Sequence, residues 1–176
     1  MRRWYFGLIF FLPVLLWGVW QLPKPALGSA APTLSLSSAS GLPGERVTIQ
    51  LAGDQLSTLR GLYLVFTYDD NALYPAYCAP LTITEGWELT CREDNGQLRL
   101  AMVGQLPVSA SNGPLAEVVF QISYHTAGNQ VLPLDVTEFS MFDTNGAPLT
   151  ATASDGQITI PGPDLLWKVY LPLCVR

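Results

Sequence analysis

Charged side chains and histidine are scarce in this sequence. Asp, Glu, Lys and Arg make up 13% of its 176 residues, and His125 is its one histidine. A Ser-His-Asp triad or a Cys-His pair would have to use that residue. It follows a strand-like segment beside Thr126, which favours an ordinary surface position. Neither His125 nor the spacing of the three cysteines fits a zinc site.

The signature motifs of enzymes are missing as well. The sequence contains no Gly-x-Ser-x-Gly, no His-Glu-x-x-His and no phosphate loop. Its adjacent acidic pairs, 69–70 and 93–94, lie in predicted turns, whereas a glycosidase needs two carboxylates held apart. Residues 143–146 lack the later ligands of a calcium loop, so a hairpin turn is the better interpretation. We therefore predict no enzyme, no cofactor and no metal site, and leave open a weak cation site built with Asp69 or Asp70.

Basic residues are too few for a nucleic-acid-binding protein. The formal net charge is −5. Arg2, Arg3 and Lys24 lie within the first 30 residues, which contain no acidic residue, so the rest of the chain is more acidic still. An acidic domain without a basic stripe argues against nucleic acid as a partner.

The N-terminal 30 residues have the three parts of a secretory signal peptide. Arg2 and Arg3 precede an apolar run over 4–20, and small residues end the segment at Ala30, after which we expect cleavage. The alternative is an uncleaved anchor, although the run is near the ~17-residue lower limit for a membrane span. Pro13 also interrupts it. We expect a secreted or cell-surface protein that contacts a membrane only through this segment or its C-terminal tail.

Export makes a disulfide possible. Cys78 and Cys91 lie on two neighbouring strand-like segments, and we expect them to form a bond. The alternative is a pair of buried free thiols. Cys174 is left over in the tail, as a free thiol or as an intermolecular partner.

The clearest strand of the sequence runs from residue 60 to residue 68 and alternates strictly. Four large apolar or aromatic side chains point one way, which predicts a core-facing side: Leu62, Leu64, Phe66 and Tyr68. The opposite side is only half polar, which is unusual for a surface open to water and suggests a partner. Its members are Gly61, Tyr63, Val65 and Thr67.

The rest of the chain reads as further strands with no helical period of useful length. Asn95-Gly96 supplies the positive φ angles of a tight hairpin between 87–92 and 97–103. Residues 115–124 are expected to place Ala116, Phe120 and Tyr124 on one face. Many short strands with frequent turns predict an all-β sandwich or barrel. The other expected strands are 33–37, 46–51, 76–83, 131–142, 149–153 and 157–160.

Residues 161–176 differ from the domain before them. A linker over 161–163 leads into an apolar segment that ends in Arg176. That segment is either a last edge strand or a sorting tail, because residues 170–176 resemble short tails on exported proteins of some filamentous green bacteria. The expected organisation is a signal peptide over 1–30, a β-sandwich over 31–160, and a linker with tail over 161–176.

The order of the strands resembles that of a cohesin domain. Residues 64–73 resemble the family's aromatic-x-Tyr-Asp-x-x-x-Leu signature, with Phe66, Tyr68, Asp69 and Leu73 in the defining positions. Residues 47–51 resemble its early strand, 115–122 its long late strand, and 139–143 with 156–160 its closing strands. The resemblance spans about residues 33–160.

This resemblance implies a nine-stranded jelly-roll sandwich with a non-catalytic role in protein–protein attachment. Cohesins bind dockerins, which are small calcium-loaded helical modules, through one sheet face. Where known cohesins have Asn and Asp, this chain has Gly61 and Tyr63, so a hydrogen-bonding surface has become more apolar. The alternatives are a carbohydrate-binding module, with polysaccharide as the ligand, and a structural extracellular domain. The implied partner-binding face comprises Gly61, Tyr63, Val65, Thr67, Arg99, Ala101 and Val103.

Two aromatic residues are candidates for direct contact with a partner. An exposed Tyr63 or Trp87 would stack on a sugar ring or anchor a protein, since Tyr and Trp are enriched in binding hot spots. The alternatives are that Trp87 lies in the core or packs on the disulfide, and that Tyr63 is ordinary cover.

Overall fold

The computed structural model describes residues 31–162, so the expected signal peptide, the C-terminal tail and Cys174 lie outside the described residues. Within this range the chain forms strands and one short 3-10 helix, Thr82–Thr84, and no helix there is long and apolar enough to span a membrane. The strands are β1 Thr33–Leu36, β2 Ser38–Ser40, β3 Arg46–Asp54, β4 Leu59–Thr67, β5 Leu73–Pro80, β6 Glu88–Asp94, β7 Gln97–Val103, β8 Gly113–Ile122, β9 Gln130–Asp143, β10 Pro148–Leu149, β11 Thr152–Ser154 and β12 Gly156–Ile160.

The strands form two sheets that enclose one core. The first sheet has the order β11-β1-β3-β8-β5, and the second has the order β2-β12-β9-β4-β7-β6, with β10 paired to β9. The pairs β1–β11 and β2–β12 are parallel, and the other pairs are antiparallel. The predicted all-β sandwich is confirmed, and β4 lies in the middle of the second sheet.

The described chain has twelve strand segments where the resemblance implied nine strands. The predicted strand 33–37 corresponds to β1, and the additional strand β2 follows it because the chain crosses from one sheet to the other at Ser37. There Ser37 N–H donates to the Gln50 carbonyl, and its Oγ accepts from Gln50 N–H at 2.8 Å. The predicted strand 149–153 is divided into β10 and β11, which contain only 2 and 3 residues.

The core side of β4 is the predicted one. Leu62, Leu64 and Phe66 are at most 3% exposed. The Phe66 and Tyr68 rings each meet Phe120 of β8 edge to face, with centroids 6.4 and 5.3 Å apart. Such aromatic pairs stabilise the fold beyond the area they bury. Leu98 and Leu100 of β7 and Leu132 and Leu134 of β9 extend the same buried layer.

The predicted hairpin between β6 and β7 is confirmed. Asn95 has φ 49° and Gly96 has φ 74°, which is the pattern of a two-residue turn that matches the twist of the flanking strands. The register that follows pairs Asp94 with Gln97 and Glu88 with Val103.

Two predicted strand positions are wrong. β5 covers Leu73–Pro80, not 76–83, because the chain turns into the 3-10 helix after Leu81, where Thr84 Oγ1 donates to the Leu115 carbonyl and accepts from Leu81 N–H. β8 ends at Ile122, so Tyr124 does not continue its inward face. Its side chain is 79% exposed and lies against Gly44.

The predicted disulfide between Cys78 and Cys91 is confirmed. Cys78 lies on β5 at the edge of the first sheet, and Cys91 lies on β6 at the edge of the second. The bond therefore joins the two sheets along one side of the sandwich, with a Cα–Cα distance of 6.3 Å.

Candidate partner-binding face

The outward side chains of β6, β7, β4 and β9 form one continuous surface, which we name the β4 face. β4 pairs with β7 on one side and with β9 on the other. Strand pairing places four side chains in each row across the sheet. The rows are Glu88, Val103, Gly61, Phe142; then Thr90, Ala101, Tyr63, Ser140; then Arg92, Arg99, Val65, Glu138; and finally Asp94, Gln97, Thr67, Asp135.

All seven residues of the predicted face lie on this surface. Gly61 pairs with Val103, Tyr63 with Ala101, and Val65 with Arg99. Ala101 is exposed and Val103 is 55% exposed. Gly61, Tyr63, Thr67 and Arg99 are partly exposed.

Val65 faces outward but is only 4% exposed. Its neighbours across the sheet are Arg99 and Glu138, whose long side chains have aliphatic stems able to cover a shorter residue. A bulge in β9 next to Val65 also brings Thr137 close, and Thr137 Oγ1 donates to the Val65 carbonyl at 3.3 Å. Val65 therefore belongs to the predicted face by its position on β4, but its side chain is almost inaccessible to solvent.

Tyr63 lies at the middle of the β4 face. Its neighbours in the row are Ala101 and Ser140, and both are too small to cover the sides of an aromatic ring. The ring stays partly exposed because of these small neighbours. Trp87, in contrast, is 8% exposed and belongs to the core.

The charges on the β4 face are concentrated at one end. Arg99 Nη1 lies 3.5 Å from Asp94 Oδ2, and its Nη2 donates to Gln97 Oε1 at 3.2 Å. Arg92 is directly opposite Arg99, so two cations share a row. Because these side chains are largely exposed, the ion pair contributes little to stability. The half of the face around Tyr63 and Gly61 is mainly apolar.

A recess lies at the Gly61 end of the β4 face. Its volume is about 510 Å³, and it is bordered by β4, β7, β9 and the turn after β9. In that turn, Asp143 Oδ1 accepts hydrogen bonds from Asn145 N–H and Ala147 N–H at 2.8 and 2.9 Å. These bonds hold the pKa of Asp143 below its usual value, and the bond from Ala147 has the largest effect. The carboxylate is thus used by its own turn.

The sequence of the whole sandwich matches a known family. A sequence profile described as Cohesin domain matches residues 32–160. The chain belongs to the cohesin domain family. No curated protein matches it.

Solved structures give the same fold for this cohesin domain. A Clostridium acetobutylicum cohesin, CaCohA2, solved in complex with a variant of the dockerin CaDoc0917, is 22% identical, with a TM-score of 0.67, and the match covers 74% of this chain and 99% of that one. The cohesin of the Clostridium thermocellum complex Coh-OlpA–Doc918 is 13% identical, with a TM-score of 0.66, and the match covers 74% of this chain and 99% of that one. A non-cellulosomal cohesin from the archaeon Archaeoglobus fulgidus is 14% identical, with a TM-score of 0.65, and the match covers 73% of this chain and 90% of that one.

Part of the β4 face of this cohesin domain was absent from the predicted residue set. Ser140 and Phe142 of β9 border Tyr63 and Gly61, and Thr90 of β6 continues the Tyr63 row. The β9 residues were missed because β4 and β9 pair across about 80 residues of sequence, and no local pattern shows which strand lies beside β4. The alternation of β9 was the available signal, since it gives the outward set once the pairing is known.

A second aromatic surface lies on the other sheet. Tyr74 and Tyr77 of β5 are each 51% exposed and face outward on both sides of a bulge. Gln121, opposite Tyr74, accepts from Arg46 Nε at 3.3 Å and donates to the Gly44 carbonyl at 2.6 Å, whereas Tyr77 lies opposite the buried Val119. Tyr74 was missed because the predicted strand began after it, whereas Tyr77 lay within the predicted strand 76–83 but was not singled out.

Proposed function

We propose that this cohesin domain is a non-catalytic attachment module outside the cell, and that its β4 face binds a dockerin-like module. The single observation that carries the proposal is the position of Tyr63, which is partly exposed in the middle of a continuous sheet face and flanked by small residues. Exposed tyrosines of this kind supply much of the binding free energy at protein interfaces.

Two kinds of similarity support the proposal. Family membership is established over residues 32–160, and cohesins of the same fold are known in complex with dockerins. The disulfide between Cys78 and Cys91 fits an oxidising environment outside the cell. The apolar character around Tyr63 favours a partner that packs against the face rather than one held by many hydrogen bonds.

A binding assay with Tyr63→Ala tests this function. Purified dockerin modules encoded by the same genome are captured on the immobilised cohesin domain in calcium and eluted with EDTA. We expect at least one to bind, with about tenfold lower affinity for Tyr63→Ala, because an interfacial tyrosine contributes on the order of 1.4 kcal/mol or more.

The matched control is Tyr124→Ala, which removes an aromatic ring that is 79% exposed and follows β8. It should bind the dockerin as the wild type does. Equal loss of binding in both variants, or no dockerin bound by the wild type, would contradict the proposal.

Carbohydrate is the second candidate ligand, and Tyr74 and Tyr77 are the observation that favours it. An aromatic ring offers a flat apolar face, and the polar Gln121 beside Tyr74 suits a ligand that also carries hydroxyl groups.

Retention on insoluble cellulose and xylan tests this second candidate. The double variant Tyr74→Ala, Tyr77→Ala should lose retention that the wild type and Tyr124→Ala keep. If no variant and no wild-type protein is retained, carbohydrate is excluded for these polymers. If neither dockerin nor polysaccharide binds, a structural extracellular domain becomes the best description.

A further inference from the structure

The recess at the end of the β4 face owes its depth to a missing side chain. Gly61 lies in its floor, between Val103 of β7 and Phe142 of β9. A Cβ atom on Gly61 would lie 3.5 Å from Phe142 Cβ and 3.6 Å from Phe142 Cδ2, which is ordinary van der Waals contact. The backbone therefore accepts a side chain here, and a glycine is not required by crowding.

The two charged side chains on the rim, Arg60 and Asp143, make hydrogen bonds within the domain. Arg60 Nε donates to the Gly104 carbonyl at 2.9 Å, and its Nη1 donates to the Thr144 carbonyl at 3.2 Å. Asp143 accepts from its own turn, as described above. An incoming charged group would lose part of its hydration over the floor formed by Gly61, Val103 and Phe142, which is costly. An uncharged apolar side chain has no such hydration to lose.

The recess is continuous with the surface around Tyr63. Gly61 and Tyr63 are two positions apart on β4, a distance of about 6.6 Å along a strand. Side chains at positions i and i+4 of a helix are separated by about 6 Å along its axis. A helix lying along β4 would therefore place one side chain against Tyr63 and the next one in the recess.

We propose that the recess receives one uncharged apolar side chain from a helix of the dockerin-like partner, and that Gly61 determines specificity by leaving the recess open. This inference rests on the proposed function and names the partner group at that site. It sets this cohesin domain apart from a surface that recognises polar side chains by hydrogen bonds.

The first test uses a small probe and needs no partner protein. N-acetyl-leucinamide is titrated into the protein, and its binding is followed by the NMR shifts of the protein's backbone amides. We expect saturable shifts centred on Gly61, Val103 and Asn145, and none with N-acetyl-lysinamide at the same concentrations. Gly61→Leu should weaken binding of the leucine probe about tenfold, because the new side chain occupies the recess.

Gly61→Val is the second variant, because a β-branched residue suits a strand and serves if the leucine variant fails to fold. The matched control is Gln50→Leu, which adds the same side chain to an exposed position of β3 on the opposite sheet. It should leave the shifts unchanged. Absence of saturable shifts in the wild type, equal shifts with the lysine probe, or unchanged binding by both Gly61 variants would overturn the inference.

The second test separates this inference from the proposed function. If a dockerin binds the wild type and Gln50→Leu but binds Gly61→Leu about tenfold more weakly, both stand. If the dockerin binds Gly61→Leu as tightly as the wild type, the recess is not used and the inference is wrong, while the proposed function stands. If no dockerin binds although the leucine probe does, the proposed function fails and the apolar recess remains as a site.

Discussion

The position of a residue on β4 of this cohesin domain sets the direction of its side chain but not its exposure. Leu62, Leu64 and Phe66 point into the core and are buried, because a strand has only two faces. Val65 is buried as well, although its position on the strand predicts exposure. The residues paired with it across the sheet are Arg99 and Glu138, which are far away in sequence. The face of a residue is a local property, whereas its exposure depends on neighbours from other strands.

Gly104 offers the sharpest residue-scale prediction on stability. A Cβ atom there would lie 2.3 Å from Trp87 Nε1 and 2.7 Å from the Leu106 carbonyl oxygen. Gly104→Ala should therefore destabilise the domain by about 1–3 kcal/mol, since the packed indole and the backbone must move. Urea unfolding followed by Trp fluorescence measures this.

The control for Gly104→Ala is Gly61→Ala, where the nearest atom would be 3.5 Å away. That variant should be neutral or more stable by up to about 1 kcal/mol, because glycine is unfavourable inside a strand. If the two variants have the same stability, the close contact between Gly104 and Trp87 does not constrain the fold.

Tyr68 leads to a prediction on pH. Its side chain is 7% exposed, and its hydroxyl has no hydrogen-bond partner among the described residues. Burial, with Glu93 and Asp70 nearby, raises the pKa of Tyr68 well above its ordinary value of 10.0. The folded state thus keeps this proton at a pH where the unfolded state loses it. Stability should fall as pH rises above about 10, by up to about 1.4 kcal/mol per pH unit.

Tyr68→Phe isolates this effect. The variant should be about as stable as the wild type at pH 7, because it removes a buried hydroxyl that makes no hydrogen bond. Between about pH 10 and pH 11 its free energy of unfolding should fall less steeply than that of the wild type, in urea titrations at each pH. Parallel curves would show that Tyr68 does not titrate differently in the two states.

At the scale of elements, local turn chemistry was predictable and strand partners were not. The hairpin of β6 and β7 followed from Asn95-Gly96. That Arg99, Ala101 and Val103 lie beside β4 was implied by the family resemblance, and the pairing of β4 with β7 agrees with it. The crossing at Ser37 and the pairing of β4 with β9 could not be read from sequence, because both depend on contacts between distant segments. The start of β5 was missed for a related reason: its pairing with β8, rather than its own pattern, decides where it begins.

The hairpin turn provides a prediction at this scale. Gly96 has φ 74°, a conformation that residues with a side chain rarely adopt. A Cβ atom there would also lie 2.9 Å from the Tyr68 carbonyl oxygen, which is too close for a van der Waals contact. Gly96→Ala should cost about 1–3 kcal/mol, because it adds backbone strain to a steric contact. Thermal unfolding by circular dichroism measures the loss, and a variant that melts with the wild type would contradict this account of the turn.

At the largest scale, residues 31–162 form a sandwich whose two sheets are joined along one side by a covalent bond. Cys78 and Cys91 join the edge strands of the two sheets. Replacing both by Ser should lower the free energy of unfolding by about 3 kcal/mol on the loop-entropy estimate for this separation of 13 residues. Urea unfolding of the double variant gives the value. If the wild type in reducing agent loses as much stability as the variant, the effect belongs to the bond and not to the substitutions.

The central claim is that the β4 face is the surface that binds a dockerin-like partner, and one substitution tests it most directly. Ala101 is exposed beside Tyr63, so Ala101→Arg adds a long charged side chain to the middle of the face without disturbing the core. Calorimetric titration of a dockerin from the same genome compares this variant with Gln50→Arg on the opposite sheet. The account predicts about hundredfold weaker binding for Ala101→Arg and wild-type affinity for Gln50→Arg. Equal affinity for the two variants would contradict it.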